Sequence, residues 1–345
     1  MLFMRKKVFR YLLYFLVFII VLLLLLIFIP RDYKVPSQLK RENIQYWELP
    51  TGSKIAYTRI DGLGAKKPFP VIFLQGGPGG PIFDKNIEIL SPIAEDGYEV
   101  YFYDQVGCGF SERLENIDEY SIERHTNDLE EIVKTIGAHK VILIGQSWGA
   151  MLATLYIADH PEKVEKIILT SPGPVLPINF ELESLKPDDS LHLKYPAFTN
   201  HQGRKKTYNL RSRFVEFCAK TFNIKIASDL EMDEFATVLN HEMGKSTVRE
   251  LSSLGKMESG YGYYCMVKTA QSFKYANNTR TKVQGCEIPI LILRGQYDSV
   301  KWGYLTEYLY LFKNYRFILI PDAGHSIATE QPELYLYNIR QFLLN

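Results

Sequence analysis

Residues Val141–Met151 read VILIGQSWGAM, and this stretch decides the fold. Four β-favouring apolar residues predict a strand buried on both faces, and a glycine–x–serine–x–glycine turn follows at once. The apolar run from Ala150 then predicts a helix. A serine in such a strand-to-helix turn exposes its hydroxyl at the carboxyl edge of the sheet, which makes Ser147 the candidate nucleophile. The alternative is a loop serine that only caps a helix.

Strand-like and helix-like segments alternate on both sides of this turn. This alternation predicts βαβ units, and therefore a mostly parallel sheet with helices on both faces. An early pair of strand-like runs, separated by a turn signal at residues 50–53, adds an antiparallel edge. The predicted strands are 43–49, 54–60, 70–74, 99–103, 140–144, 163–169, 288–293 and 317–320.

The alternation stops between residues 175 and 287. Helix-like segments at 212–221, 232–243 and 262–273 occupy this charged, tyrosine-rich region, which contains no clear strand. We therefore expect a helical cap at 175–287, inserted between two core segments at 43–174 and 288–345. Such an insertion would cover the carboxyl ends of the strands, where ligands bind in open α/β sheets.

The N-terminus has the composition of a membrane anchor. Residues 1–10 carry four basic side chains, and residues 11–29 contain no charge. At helical rise the uncharged run spans about 28 Å, close to the hydrocarbon thickness of a bilayer. The basic flank predicts a cytoplasmic N-terminus, with residues 30–42 as a linker and the body outside the cytoplasm. A cleaved signal peptide is the alternative, but the apolar run is long and no small-x-small site follows it.

Composition limits the partners and cofactors. The 345-residue chain has a net charge of +1, so we expect no nucleic-acid partner. Its four cysteines are scattered without metal-ligand spacing, so we expect neither a metal nor another cofactor. A disulfide such as Cys265–Cys286 and free buried thiols both stay open, as does the oligomeric state.

Two late motifs provide partners for the candidate nucleophile. Asp298 lies in the loop just after the strand at 288–293, and His325 in the loop after the strand at 317–320. Both loops are expected at the carboxyl edge, together with Ser147. A nucleophilic serine needs a base, and the base needs an orienting carboxylate. The order serine, aspartate, histidine is the one expected on this sheet topology, so these residues form the predicted triad.

A glycine-rich loop follows the strand at 70–74. An acyl-transfer reaction needs two backbone N–H donors for the oxyanion, one from the residue after the nucleophile and one from this loop. The predicted donors are the N–H groups of Trp148 and Gly77. The alternative is that the glycines form only a flexible turn.

Five motifs together resemble those of the proline iminopeptidase family: Gln75-Gly76-Gly77-Pro78-Gly79, Asp104-Gln105-x-Gly107-x-Gly109-x-Ser111, Gly145-x-Ser147-Trp148-Gly149, Gly295-x-Tyr297-Asp298 and Gly324-His325-Ser326. The resemblance covers roughly residues 43–345 and is sparse in the cap. It implies an α/β-hydrolase fold and a serine peptidase that releases an N-terminal residue, often proline. Gln75 stands where that family usually has histidine, and Val106 where arginine is common.

The resemblance also implies how a substrate amine is bound. A protonated α-amine needs buried carboxylates near the serine, and the family provides them as glutamates of the cap. Residues 256–261 resemble the segment that carries one of them, which makes Glu258 the candidate. A second candidate is Glu231, Glu234 or Glu242, and the sequence does not choose among these. The alternative for all of them is a solvated position on a helix face.

These patterns predict a membrane-anchored serine hydrolase that removes an N-terminal residue from short peptides through an acyl-enzyme. A cap over the site is expected to restrict substrates to small peptides or other small molecules. A carboxylesterase would use the same triad without an amine-binding carboxylate. A non-catalytic binding or signalling protein is a third alternative, although a pure binder has no need of an intact triad.

Overall fold

The structure is a computed structural model that describes residues 2–345, with side chains described from residue 6. Eight strands are present: β1 (Gln45–Glu48), β2 (Lys54–Ile60), β3 (Val71–Leu74), β4 (Val100–Tyr103), β5 (Val141–Gln146), β6 (Val164–Thr170), β7 (Ile290–Gly295) and β8 (Tyr315–Ile320). The helices are α1 (Leu2–Phe28), α2 (Asp84–Leu90), α3 (Ile122–Ile136), α4 (Trp148–Asp159), α5 (Asn200–Thr207), α6 (Leu210–Phe222), α7 (Asp229–Gly244), α8 (Tyr263–Ser272), α9 (Arg280–Val283), α10 (Trp302–Leu311), α11 (Ile327–Glu330) and α12 (Pro332–Leu344).

All eight strands form one sheet in the order β1-β2-β4-β3-β5-β6-β7-β8. The pairs β1–β2 and β2–β4 are antiparallel, and every other pair is parallel. The predicted mostly parallel sheet with an antiparallel edge is therefore confirmed. Every residue of β3, β4 and β7 is buried, as expected for strands covered on both faces.

Alternate residues of the central strands contribute to two separate cores. Ile72 and Leu143 belong to the core shared with α3, α4 and the cap, whereas Val71 and Ile142 belong to the core under α2 and α12. This division follows from the period of two along a strand. The parallel strands are thereby fixed from both sides, and their carboxyl ends meet at one edge.

Helices α5–α9 lie between β6 and β7 and form the cap. Helices α6, α7 and α8 occupy the three segments predicted to be helical. The sequence patterns did not predict α5, because its residues NHQGRKKT have no apolar periodicity. A capping box at Thr199 and Gln202 starts this helix, and it contacts α7.

The N-terminal helix α1 stands outside the body. Its segment Lys6–Phe28 has a mean hydropathy of 3.2 and is not buried within the described part of the chain, so it is not a core helix. It is long and apolar enough to cross a membrane, and a signal sequence would have the same properties.

The segment predicted to be a linker, 30–42, is packed against the body. The backbone N–H of Arg31 donates a 3.0 Å hydrogen bond to Glu231 in the cap, and the Tyr33 ring packs edge-on against Phe235. Arg41 is buried and reaches the core of the domain. Sequence composition alone does not reveal these contacts, because each partner lies far along the chain.

Candidate active site

Ser147 occupies a strained turn between β5 and α4. Its backbone has φ 54° and ψ −114°, a conformation that L-residues rarely adopt. Its N–H donates a 2.9 Å hydrogen bond to the carbonyl of Thr170 at the end of β6. The flanking glycines are needed because a Cβ on Gly149 would overlap the Leu74 carbonyl, and one on Gly145 would lie 2.6 Å from Ala150. This is the geometry of a nucleophile elbow.

Asp298 and His325 meet across the loops that follow β7 and β8. The Nδ1 atom of His325 lies 2.9 Å from Oδ1 of Asp298, and the backbone N–H of Val300 donates to the same oxygen at 2.9 Å. Burial by itself would raise the pKa of the fully buried Asp298, but the charge and hydrogen bond of His325, with the charge of Arg294, lower it to about 2. The aspartate is therefore ionised and holds the ring at Nδ1, and Nε2 makes no hydrogen bond among the residues that the structure describes.

Ser147 lies at the same sheet edge as this pair, since β5, β7 and β8 all run parallel. No hydrogen bond joins its hydroxyl to the His325 ring among the residues that the structure describes. The structure thus brings Asp298 and His325 into contact, and leaves Ser147 at the same edge without a direct hydrogen bond to His325.

The cap holds the loop that carries the histidine. The carboxylate of Glu330 accepts the N–H of Gly324 at 2.6 Å and the N–H of Arg249, from the cap, at 2.8 Å. The carbonyl of Thr247, also in the cap, accepts the N–H of Ser326 at 2.9 Å. These bonds fix both neighbours of the histidine, and no local sequence pattern indicates them.

The predicted oxyanion donors lie beside the serine. A Cβ on Gly76 would be 3.2 Å from Cβ of Ser147, so the glycine loop directly borders the elbow. Gly77 has φ +128°, which a side chain would strain. Within the described residues, neither the N–H of Gly77 nor that of Trp148 donates a hydrogen bond.

Two glutamines support this loop and connect it to the elbow. The Gln105 amide donates to the carbonyl of Gln75 at 3.0 Å and accepts the indole N–H of Trp148 at 2.8 Å. The Gln75 amide donates to the Pro81 carbonyl at 2.9 Å and accepts the N–H of Gly76 at 3.1 Å. A glutamine at the position where the resemblance expects histidine therefore still orders the loop. The sequence motif contained Gln105 without indicating this role.

The carboxylate of Asp104 binds the chain on both sides of the glycine loop. It is fully buried and paired with Arg41 at 2.6 Å, and it accepts the N–H groups of Ile82 at 2.7 Å and Phe110 at 3.0 Å. One carboxylate thus joins the segment before the sheet, the glycine loop and the loop after β4. A Cβ on Gly109 would overlap this carboxylate, which explains the glycine at that position of the motif.

The four candidate glutamates differ in their partners. Glu231 is buried against Arg211, and Glu242 pairs with Lys206 and Lys245, so neither carboxylate is free. Glu234 and Glu258 form no salt bridge within the described part of the chain. In the part of the chain that the structure describes, no group of three or more histidine, cysteine, aspartate or glutamate side chains could hold a metal ion. All four cysteines are buried and free.

Glu258 lies in a segment that packs on the glycine loop. Two residues beyond it, the Gly260 carbonyl accepts the N–H of Gly109 at 2.7 Å, and the N–H of Gly262 donates to the Gly79 carbonyl at 2.8 Å. Glu258 as a whole residue is exposed, although the surroundings of its carboxyl group are partly desolvated. Partial burial, together with the charge of Asp84, raises the pKa of Glu258.

A sequence model of the alpha/beta hydrolase fold family matches residues 70–332. The proline iminopeptidase of Heyndrickxia coagulans is 25% identical over 305 residues, which cover 85% of this chain and 96% of that protein. The proline iminopeptidase of Lactobacillus helveticus is 40% identical over 118 residues, or 33% of this chain. This chain spans only 39% of that relative's length.

Solved structures share the fold. The proline iminopeptidase of Mycobacterium smegmatis has a TM-score of 0.57 at 17% identity, covering 88% of this chain and 98% of that chain. An esterase from Exiguobacterium antarcticum has a TM-score of 0.61 at 16% identity, covering 87% and 99%. The family match, the eight-stranded sheet and the elbow agree, and the chain belongs to the α/β-hydrolase fold family, in which it resembles the proline iminopeptidases.

Proposed function

We propose that the protein is a serine aminopeptidase that releases an N-terminal residue, proline among others, from short peptides. The observation that carries this proposal is the pairing of His325 with ionised Asp298 at the sheet edge that also holds the strained Ser147. The likeness to proline iminopeptidases supports the peptidase class. Because the Nδ1–H of the ring is directed at Asp298, Nε2 is the atom that would take the serine proton.

The proposed reaction has two halves. His325 removes the proton from Ser147 as its oxygen attacks the carbonyl of the N-terminal residue, and the N–H groups of Gly77 and Trp148 hold the oxyanion. The ring then gives its proton to the leaving amine, and the acyl-enzyme remains. Water, activated by the same ring, completes the hydrolysis. The reaction requires the serine hydroxyl and the ring to approach each other when substrate binds, which is common for such pairs.

The free α-amine is the feature that distinguishes a peptidase substrate from an ester. We assign its recognition to Glu258, whose carboxylate has no ion-pair partner among the described residues, with Glu234 as a second ligand. Glu231 and Glu242 are excluded from this role because basic side chains already occupy them. A cation near Glu258 would offset the burial that raises its pKa.

The test measures how fast the full-length protein hydrolyses prolyl, alanyl and leucyl arylamides, an N-blocked prolyl arylamide and a short-chain aryl ester. Cleavage of the free-amine arylamides but not of the N-blocked arylamide supports the aminopeptidase, whether or not the ester also reacts. Cleavage of the ester alone supports a carboxylesterase, whose fold the chain shares. No turnover of any substrate by a folded protein would favour a non-catalytic binding role.

Glu258→Gln probes the amine site. A hydrogen bond to a charged group contributes about 1.5–3 kcal/mol, so we expect kcat/KM to fall about 10- to 100-fold on free-amine substrates. The aryl ester, which has no amine, should be unaffected. The matched control is Glu242→Gln, because that carboxylate is occupied by lysines and should leave both rates unchanged. Equal losses on the ester and the arylamides would remove Glu258 from amine recognition.

The apolar helix α1 is proposed to anchor the protein as a single span, with the body outside the cytoplasm. The basic side chains of residues 1–10 support this orientation. The intact mass of the mature protein separates an anchor from a cleaved signal. Protease protection of a C-terminal tag in sealed inside-out vesicles supports the orientation, and digestion of the tag would reverse it.

A further inference from the structure

Helix α6 carries an apolar stripe on the face that points away from the body. Leu210, Phe214 and Phe217 follow one another at helical spacing, and Leu210 and Phe217 are 44% and 52% exposed. The opposite face, which includes Val215, is buried in the cap. A surface helix normally turns mainly polar side chains outward, whereas α6 exposes these apolar side chains beside the polar Arg213 and Lys220.

The stripe continues directly from the end of α1. The Phe28 ring of α1 lies 5.9 Å from Phe214, which lies 6.4 Å from Phe217, which lies 5.6 Å from Phe222. Phe222 is 57% exposed, and Ile224 beyond it is 47% exposed. Apolar side chains therefore run without interruption from the proposed membrane span onto the surface of the cap.

Polar contacts fix the end of α1 to the same helix. Buried Arg211 donates to the carbonyl of Ile27 at 2.6 Å and is paired with Glu231. The Oε1 atom of that carboxylate, which accepts the Nε–H of Arg211, also accepts the backbone N–H of Arg31 at 3.0 Å. Because backbone on both sides of the helix end is held, the point where α1 leaves the apolar phase is set beside α6.

We infer that the outward face of α6, formed by Leu210, Phe214 and Phe217, together with the exposed Phe222 at the C-terminal end of the helix, rests in the interfacial layer of the phospholipid bilayer that α1 spans. This inference rests on the proposed anchoring by α1. Aromatic side chains favour this layer, and an amphipathic helix lies about 5–10 Å deep in it. The exposed Arg213 on the same helix suits lipid phosphate groups. The cap, rather than the sheet, is then the part of the body that contacts the membrane.

The test uses full-length protein in phosphatidylcholine nanodiscs that contain brominated lipids, which quench tryptophan. Three single reporters are compared after subtraction of the parent signal. Val17→Trp, at the middle of α1, reports insertion of the span. Phe217→Trp reports the inferred surface. Tyr310→Trp, at a position that is 79% exposed on α10, reports an exposed site outside α1 and α6.

We expect bromines near the ester end of the acyl chain to quench Phe217→Trp more strongly than bromines near the methyl end, with the reverse order for Val17→Trp. Tyr310→Trp should be quenched by neither. Quenching of Val17→Trp without quenching of Phe217→Trp would overturn the inference while leaving the anchor intact. Absence of quenching at both positions would overturn the anchor and the inference together.

Discussion

His125 is a buried neutral histidine beside Trp148, and it makes the free energy of unfolding depend on the solution pH. Its ring is fully buried and lies 5.7 Å from the ring of Trp148, and Nε2 is 2.9 Å from the hydroxyl of Thr269 on α8. Burial, and to a lesser extent the charge of Arg124, lowers the pKa of His125 to about 3. The ring stays neutral in the folded protein at all physiological pH values.

The sign of the effect follows from proton binding. The unfolded chain protonates this ring below a pKa of about 6.5, whereas the folded chain does not until about 3, so the free energy of unfolding falls as the pH is lowered through this window. Between pH 8 and pH 5 the loss from this one group is about 2 kcal/mol. Asp233 acts in the opposite direction, because burial raises its pKa to about 6 despite the opposing charge of Arg113.

The assay is urea unfolding of full-length protein in detergent, followed by circular dichroism at pH 8 and pH 5. His125→Gln keeps a hydrogen-bonding side chain toward Thr269 but cannot titrate. The difference between parent and variant therefore isolates the histidine, because the contribution of Asp233 cancels. We expect the parent to lose about 2 kcal/mol more than the variant between the two pH values. The control His139→Gln, at an exposed position, should match the parent. Identical pH dependence in the parent and His125→Gln would refute the reasoning.

Two further predictions concern the triad and its support. Asp298→Asn should leave the fold intact but lower kcat about 10³- to 10⁴-fold, because the neutral amide no longer fixes the proton on Nδ1 of His325; a loss below tenfold would contradict this role. Gln105→Leu leaves the indole N–H of Trp148 and the carbonyl of Gln75 unpaired, at about 1–3 kcal/mol each. We expect urea unfolding to show that loss, and a double variant with Trp148→Phe to recover about half of it; additive losses would show that the two residues do not interact.

The strand–turn–helix around Ser147 could be predicted because short-range rules decide it. Apolar strands, flanking glycines and an apolar helix are all contiguous in sequence, and the structure contains each of them. The contact between Asp298 and His325 also follows from sequence, since their strands are adjacent and parallel. The orientation of the Ser147 hydroxyl relative to His325 depends on side-chain rotation, which topology does not determine.

Other features depend on contacts between distant segments. Arg41 and Asp104 are 63 residues apart, so composition assigned the first of them to a linker. Local patterns likewise do not indicate the hydrogen bond that the Trp148 indole donates to Gln105. Nor do they indicate the hydrogen bonds between the cap and the loop that carries His325. Helix α5 was missed because capping and packing against α7, rather than an apolar stripe, stabilise it. Tertiary contacts override weak local preferences in such segments.

Ser147 is the proposed nucleophile, and the proposed reaction begins with its attack on the substrate carbonyl. We would incubate the full-length protein with a fluorophosphonate, which reacts with activated serines, and map the adduct by peptide mass spectrometry. A single adduct on Ser147, with loss of arylamide hydrolysis in step with labelling, is the predicted result. The Ser147→Ala variant should be neither labelled nor active, and His325→Ala should label far more slowly. An adduct on another serine, or hydrolysis that persists in Ser147→Ala, would contradict the assignment.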